Sequence, residues 1–135
     1  MAEKRQLIRV RDVMRTRFEM IEGRDLVRVA LEKMQHSDAR ALIVRKRHPD
    51  DEYGIVVLSD IARKVLARDR SPDRVNVYEI MSKPVIMVPA DMDIRYCARL
   101  FERFGLGRAP VVDGGEIVGM VSYSVLVLRG LTRLL

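Results

Sequence analysis

The sequence predicts an α+β fold, an α/β sandwich of two strand–helix–strand–strand–helix units packed with pseudo-twofold symmetry. Three observations carry this. The chain repeats itself: Val10-Arg11-Asp12-Val13-Met14 returns 67 residues later as Val77-Tyr78-Glu79-Ile80-Met81, and Phe18–Ile21 returns as Val85–Val88. Ala39–Val44 answers to Gly107–Val112 at a spacing of 68, and Gly54–Val57 to Gly119–Ser122 at 65. Apolar spacing within each copy alternates between a helical and a strand period. Finally, one three-stranded sheet with two helices cannot cover both of its own faces, so the copies must pack together, leaving two related clefts.

The elements follow in order. Val10–Met14 reads as a short helical turn feeding a strand over Phe18–Ile21. Leu26, Val27, Ala30, Leu31 and Met34 recur at intervals of three and four, an amphipathic helix with Arg28, Glu32 and Lys33 on its wet side and Glu32 placed to pair with Arg28. Ser37-Asp38 suit its end. Ala41–Val44 is a short buried strand. The polar, Pro-containing stretch from Lys46 to Glu52 is a hairpin-like loop leading into a strand over Gly54–Leu58. Ser59-Asp60 are natural N-cap residues for a helix through Ile61, Ala62, Val65 and Leu66. Charged residues from Arg68 to Arg74, with Pro72, form an exposed linker. The second copy repeats the order, with strands at Val85–Val88, Ala109–Val112 and Ile117–Ser122. Its helices run from about Asp93 to Phe104 and on to about Leu134, and Pro84 and Pro89 bracket its first strand. Gly105-Leu106-Gly107 precedes a strand and so ends a helix; it lacks the strand-to-helix setting of a dinucleotide fingerprint. The repeats span residues 8–68 and 76–135, with a linker over 69–75.

Bulk properties exclude several classes. The first ten residues show no secretory pattern, and no apolar run approaches the roughly 20 residues of a spanning helix, so a cytoplasmic protein is expected. The single cysteine, Cys97, falls on an apolar helical stripe and reads as a core thiol. His36 and His48 have no paired cysteines nearby, which argues against a zinc site. The net charge of +6 is spread over both halves, interleaved with acids and without an aromatic RNA-binding motif. A solvated Arg-rich surface is expected, able to attract anionic ligands but not built for nucleic acid. No Ser or Cys nucleophile is paired with a base, so an enzyme is not expected.

The phrase Gly54-Ile55-Val56-Val57-Leu58-Ser59-Asp60-Ile61 resembles the cystathionine-β-synthase-type (CBS) domain, in which a glycine opens a strand ending in Ser or Thr and an Asp follows three residues later at a helix start. Gly119-Met120-Val121-Ser122-Tyr123-Ser124-Val125-Leu126 fits the same frame, as do Arg108–Asp113 and the two Val-x-x-hydrophobic-Met turns. The resemblance covers about residues 8–130. It implies a tandem pair, or Bateman module, that binds AMP, ADP, ATP, S-adenosylmethionine or a dinucleotide such as NAD as a regulatory ligand, with no cofactor required. It also implies a homodimer assembled through the helices. The chemistry is consistent: adenine fits an apolar slot with backbone partners, a helix-start carboxylate accepts both hydrogens of a ribose diol, and the helix N-terminus favours a phosphate.

The copies differ at the residues that matter most. Copy one keeps the carboxylate, Asp60, but has Val57 in the hydroxyl position; copy two keeps Ser122 but has Val125 in the carboxylate position. An unsatisfied ribose diol costs about 1–3 kcal/mol and a missing hydroxyl about 0.5–1.5 kcal/mol, so the Asp60 cleft is expected to be the working site. From the residues alone, Asp60 and Ser59 are helix caps; under the resemblance Asp60 holds ribose. Arg63 and Lys64, one turn into the helix, are both placed to meet phosphates, although a solvent-facing role suits each of them better. Arg40 and Arg108 stand at matched positions before buried strands, as phosphate or base-edge contacts, next to Ala41 and Pro110. Thr16, Arg17 and Phe18 follow the first turn, where the family places adenine contacts, although Phe18 also suits a core. The expected function is a regulatory module acting in trans on an unknown effector protein. A ligand-independent dimerisation and docking module is the alternative, and nucleic-acid binding through the Arg-rich surface a third. Surplus apolar residues from Val125 to Val127, with Leu128, Leu131, Leu134 and Leu135, are consistent with an interface.

Overall fold

The computed structural model describes residues 6–135; half of the ten-residue stretch read for a secretory pattern lies outside that range. It contains two three-stranded sheets in two compact units, and the α+β class is as expected. One unit is Phe18–Val85. The other joins Ile86–Leu135 to the segment ending at Arg17.

In the first unit, β1 (Met20–Ile21) pairs in parallel with β2 (Ala41–Val44), which pairs antiparallel with β3 (Gly54–Val57). Helix α1 (Val10–Val13) precedes β1 in sequence, and helix α2 (Val27–Ser37) lies between β1 and β2. It buries Val27, Ala30 and Met34, the apolar stripe read from its spacing, and ends with Asp38 in the left-handed region. Arg28 pairs not with Glu32 but with Asp73, at 2.9 Å. Thus the segment after Arg68 is anchored as well as exposed: the Arg28 N–H donates to the Pro72 carbonyl, and Val75 is buried. Helix α3 (Leu58–Ile61) continues as a π turn over Ala62–Leu66.

The other unit repeats the pattern. β4 (Val88–Pro89) pairs with β5 (Arg108–Asp113), which pairs with β6 (Glu116–Ser122), and α4 (Ile94–Phe104) precedes β5. The leading strand of each unit is shorter than the periodicity suggests: β1 keeps only Met20–Ile21 of Phe18–Ile21, β4 shares only Val88 with Val85–Val88, and Pro89 lies inside β4 instead of bracketing it. Proline is tolerated there because the strand is at the sheet edge and the ladder continues through the Ala90 N–H to the Val112 carbonyl. Asp93 caps α4, its carboxylate accepting the Arg95 N–H, and Gly105 ends the helix at φ 66°. Helix α5 (Tyr123–Val125) continues as a π turn over Leu126–Gly130 and a 3₁₀ turn over Leu131–Leu134.

Each unit combines the body of one repeat with the lead-in segment of the other. Ile8, Val10 and Val13 pack with Val88, Phe101, Val111 and Val125; Val75, Val77 and Ile80 pack with Ile21, Leu42, Val56 and Val65. Backbone bonds repeat the arrangement in register. Val10 N–H donates to the Met92 carbonyl as Val77 N–H does to Asp25, and Arg15 bridges Met120 as Ser82 bridges Ile55. The acidic residue of each lead-in motif caps its own turn: Asp12 accepts the Arg9 N–H at 2.9 Å and Glu79 the Asn76 N–H at 2.7 Å.

Candidate functional site

Because β1 and β2 are parallel and β3 antiparallel to them, the residues before β1, the start of β2 and the end of β3 converge at one end of the first sheet. That end holds half-buried Phe18, Ala41 opposite Val57, and exposed Arg40. The Arg40 carbonyl accepts the Leu58 N–H at 3.2 Å, joining the start of β2 to the start of α3. Phe18 belongs to neither hydrophobic core, so its core reading does not hold.

Asp60 is 3% exposed, the one buried acidic or basic residue among those described. It is not the N-cap. The cap is Val57, which makes Ser59 and Asp60 the second and third residues of the first turn. Asp60 Oδ2 accepts the Val57 N–H at 2.9 Å, while Oδ1 stands 3.6 Å from Arg63 and 3.7 Å from Lys64 Nζ. Those two separations are ion pairs beyond good hydrogen-bond length, so Oδ1 retains acceptor capacity. Ser59 is exposed, and its carbonyl accepts Arg63 Nε at 3.3 Å. Lys64 does not simply face solvent, because its Nζ donates to the Ile80 carbonyl at 2.9 Å.

In the other unit the corresponding helix head has the complementary half of the same capping device. Ser122 is the N-cap, its hydroxyl accepting the Val125 N–H at 3.3 Å and lying 3.0 Å from the Ser124 hydroxyl. Val125 is buried where Asp60 stands in the first unit. A Ser-x-x-Asp pair makes both bonds of a capping box; here each copy keeps one residue of the pair and one bond.

Strand register corrects one match. Val44 pairs with Gly54 and Val111 with Gly119, Ala41 with Val57 and Arg108 with Ser122. Arg108 therefore corresponds to Ala41, and Pro110 to Ile43; Arg40 corresponds to Gly107. The two arginines are not a matched pair. The helix and strand ends thus bring together Phe18, Arg40, Ala41, Val57, Ser59, Asp60 and Arg63, and separately Arg108, Pro110 and Ser122. Thr16 and Arg17 are exposed and belong to the unit of Ser122, following the Arg15–Met120 bridge.

The residue that sequence reasoning undervalued is Lys64. Its signal was present: Arg129 stands 65 residues later, the spacing of the preceding strands. Cys97 is a buried core thiol, its pKa pushed up to about 11 by burial, and no metal-binding cluster occurs among the described residues.

Comparison with known proteins covers nearly the whole chain. The family model of the CBS domain matches residues 10–67 and 77–128. An uncharacterised protein of Methanopyrus kandleri is 35% identical over 81 residues, 59% of this chain and 41% of that protein. The chain spans less than half the length of the curated relatives it matches. Among solved structures, the hexameric CBS-CP12 protein from bloom-forming cyanobacteria is 35% identical with a TM-score of 0.89, covering 92% of this chain and 72% of that one. A CBS domain pair in complex with 5′-methylthioadenosine and S-adenosyl-L-methionine shares the fold at 21% identity and a TM-score of 0.81, covering 95% of this chain and 99% of that one.

Proposed function

The chain belongs to the CBS-domain family, and from that premise we propose that it is a non-catalytic regulatory module that binds an adenine nucleotide or a related adenosyl ligand at Asp60 and acts on a separate partner protein. The observation that carries this is the buried Asp60 carboxylate, with one oxygen committed to Val57 and the other lacking a short hydrogen bond. A ribose diol supplies the two O–H donors that such a carboxylate accepts. Arg63 has a side chain 70% exposed; by swinging away it uncovers Oδ1 and takes its guanidinium to a ligand phosphate. Ala41, Val57 and Phe18 supply apolar contact for the base. Adenosyl ligands in a solved pair of the same fold support the ligand class.

The Ser122 site, with Val125 in the carboxylate position, binds such a ligand weakly or not at all. Self-association as a homodimer belongs to the same proposal, supported by exposed Val127, Leu128, Leu131 and Leu135. No helix among the described residues is long and apolar enough to cross a membrane, and a cytoplasmic location fits a nucleotide sensor.

A thermal-shift panel of AMP, ADP, ATP, NAD, S-adenosylmethionine and guanine nucleotides tests the proposal. Ligand at a hundred times its dissociation constant adds about 2.7 kcal/mol. Asp60→Ala should weaken binding by roughly ten- to a hundred-fold. A folded Asp60→Ala variant with unchanged affinity would exclude the ribose role. Failure of the whole panel would favour the ligand-independent docking module.

A further inference from the structure

Within Phe18–Val85, Lys64 connects two groups that are distant in sequence. Its Nζ donates to the Ile80 carbonyl at 2.9 Å and lies 3.7 Å from Oδ1 of Asp60. Asp60 is itself fixed by the Val57 N–H, so its charge has little freedom to follow the lysine. A half-buried ammonium with a carboxylate beside it has less reason to swing into water.

The other unit provides an internal comparison. Arg129 donates to the Val13 carbonyl at 3.1 Å and to the Met14 carbonyl at 3.4 Å. Val13 and Ile80 occupy the same place in their lead-in turns, so a cation on the closing helix clamps that turn in both units. Among the described residues, only in the first unit is the clamp also tethered to a carboxylate, because Val125 stands in the second where Asp60 stands in the first.

We propose that Lys64 is a positioning residue that couples Asp60 to the lead-in turn Val77–Met81. The coupling to ligand rests on the ribose reading given above: a diol donating to Oδ1 withdraws electron density from that carboxylate oxygen, weakens its attraction for the Lys64 ammonium and so loosens the lysine's hold on Ile80. Occupancy of the site is thereby converted into mobility of a segment contributed by the other repeat.

Amide hydrogen exchange on the full chain tests this. The readout is the amides of Val77, Tyr78, Ile80, Met81 and Ser82, each hydrogen-bonded within the unit. Lys64→Met should speed their exchange about tenfold, the effect of losing one charge-assisted hydrogen bond. The amides of Val10–Met14, beneath Arg129, should be unchanged. Asp60→Asn keeps an oxygen for the Val57 N–H but loses the charge, and should give a smaller increase in the same direction. The double variant should exchange no faster than Lys64→Met alone, because both act through one link. Lys64→Arg should restore protection, and Arg63→Met should leave it intact. Unchanged exchange in Lys64→Met, or effects that add in full, would overturn the coupling. AMP should speed exchange in the unsubstituted chain and add nothing in Lys64→Met; AMP that binds without changing exchange would also overturn it. If neither AMP nor any other ligand of the thermal-shift panel binds, the ribose reading fails and the substitution cycle alone decides whether Lys64 couples Asp60 to the turn; if another ligand of the panel binds, it takes the place of AMP in the exchange experiment.

Discussion

At Gly119 a Cβ would stand 2.5 Å from the Arg15 carbonyl oxygen and 2.9 Å from the Met14 sulfur. The glycine opening the family phrase is therefore required by contact with the lead-in segment that crosses it. Gly54 is the gentler case, 3.0 Å from the Met81 sulfur and 3.2 Å from the Ser82 carbonyl. Gly119→Ala should destabilise the chain by about 1–3 kcal/mol, the usual cost of overpacking, and Gly54→Ala by less. Urea midpoints at unchanged slope will show this, and equal effects would contradict the contact argument. Both glycines stood out in the sequence because they recur. Their cause did not, since Arg15 and Ser82 lie tens of residues away in the chain. Asp60 was similarly visible as an acidic residue at a helix start. Its register inside the turn, reaching back to Val57, depended on where β3 stopped.

Among the elements, the loop between β2 and β3 contains a clamp that polarity alone did not reveal. The Asp51 side chain is 7% exposed, paired with Arg47 at 3.0 Å and Lys83 at 2.8 Å. Arg47 first, then Lys83, holds the Asp51 carboxyl well below the usual carboxylate range. A folded-state pKa below the unfolded one stabilises the fold above about pH 4, and that contribution is lost as pH falls through the folded value. Asp51→Asn should therefore lower Tm at pH 7, and its deficit should shrink progressively below about pH 4. A deficit independent of pH would show that the charge is not what matters. The C-terminal helical segment divides as its composition suggested: Val125 and Leu126 are core, whereas Leu128 is 69% and Leu131 51% exposed. For the proposed homodimer, replacing Leu128 and Leu131 by Glu should shift sedimentation equilibrium towards monomer while leaving the far-ultraviolet circular dichroism of the folded chain unchanged. Retention of the dimer would place its interface elsewhere.

For the whole molecule, sequence repeat and compact unit are different divisions of the chain. A fragment over residues 18–85 keeps the lead-in turn that covers Gly54 and supplies Val75, Val77 and Ile80 to its core. A fragment over 8–68 loses that turn and carries one whose partners lie in the other unit. The first should show more native circular dichroism and a higher urea midpoint; the reverse order would mean that the lead-in turns add little. The sequence by itself determined the duplicated strand–helix–strand–strand–helix order, the apolar face of each long helix and the family, because periodicity, capping residues and repeated phrases are local properties. Only the tertiary structure decided that each lead-in segment serves the other copy's body, that Arg108 matches Ala41 instead of Arg40, and that Lys64 links Asp60 to Ile80. Those relations depend on strand register and on contacts between residues remote along the chain, which local preferences do not specify.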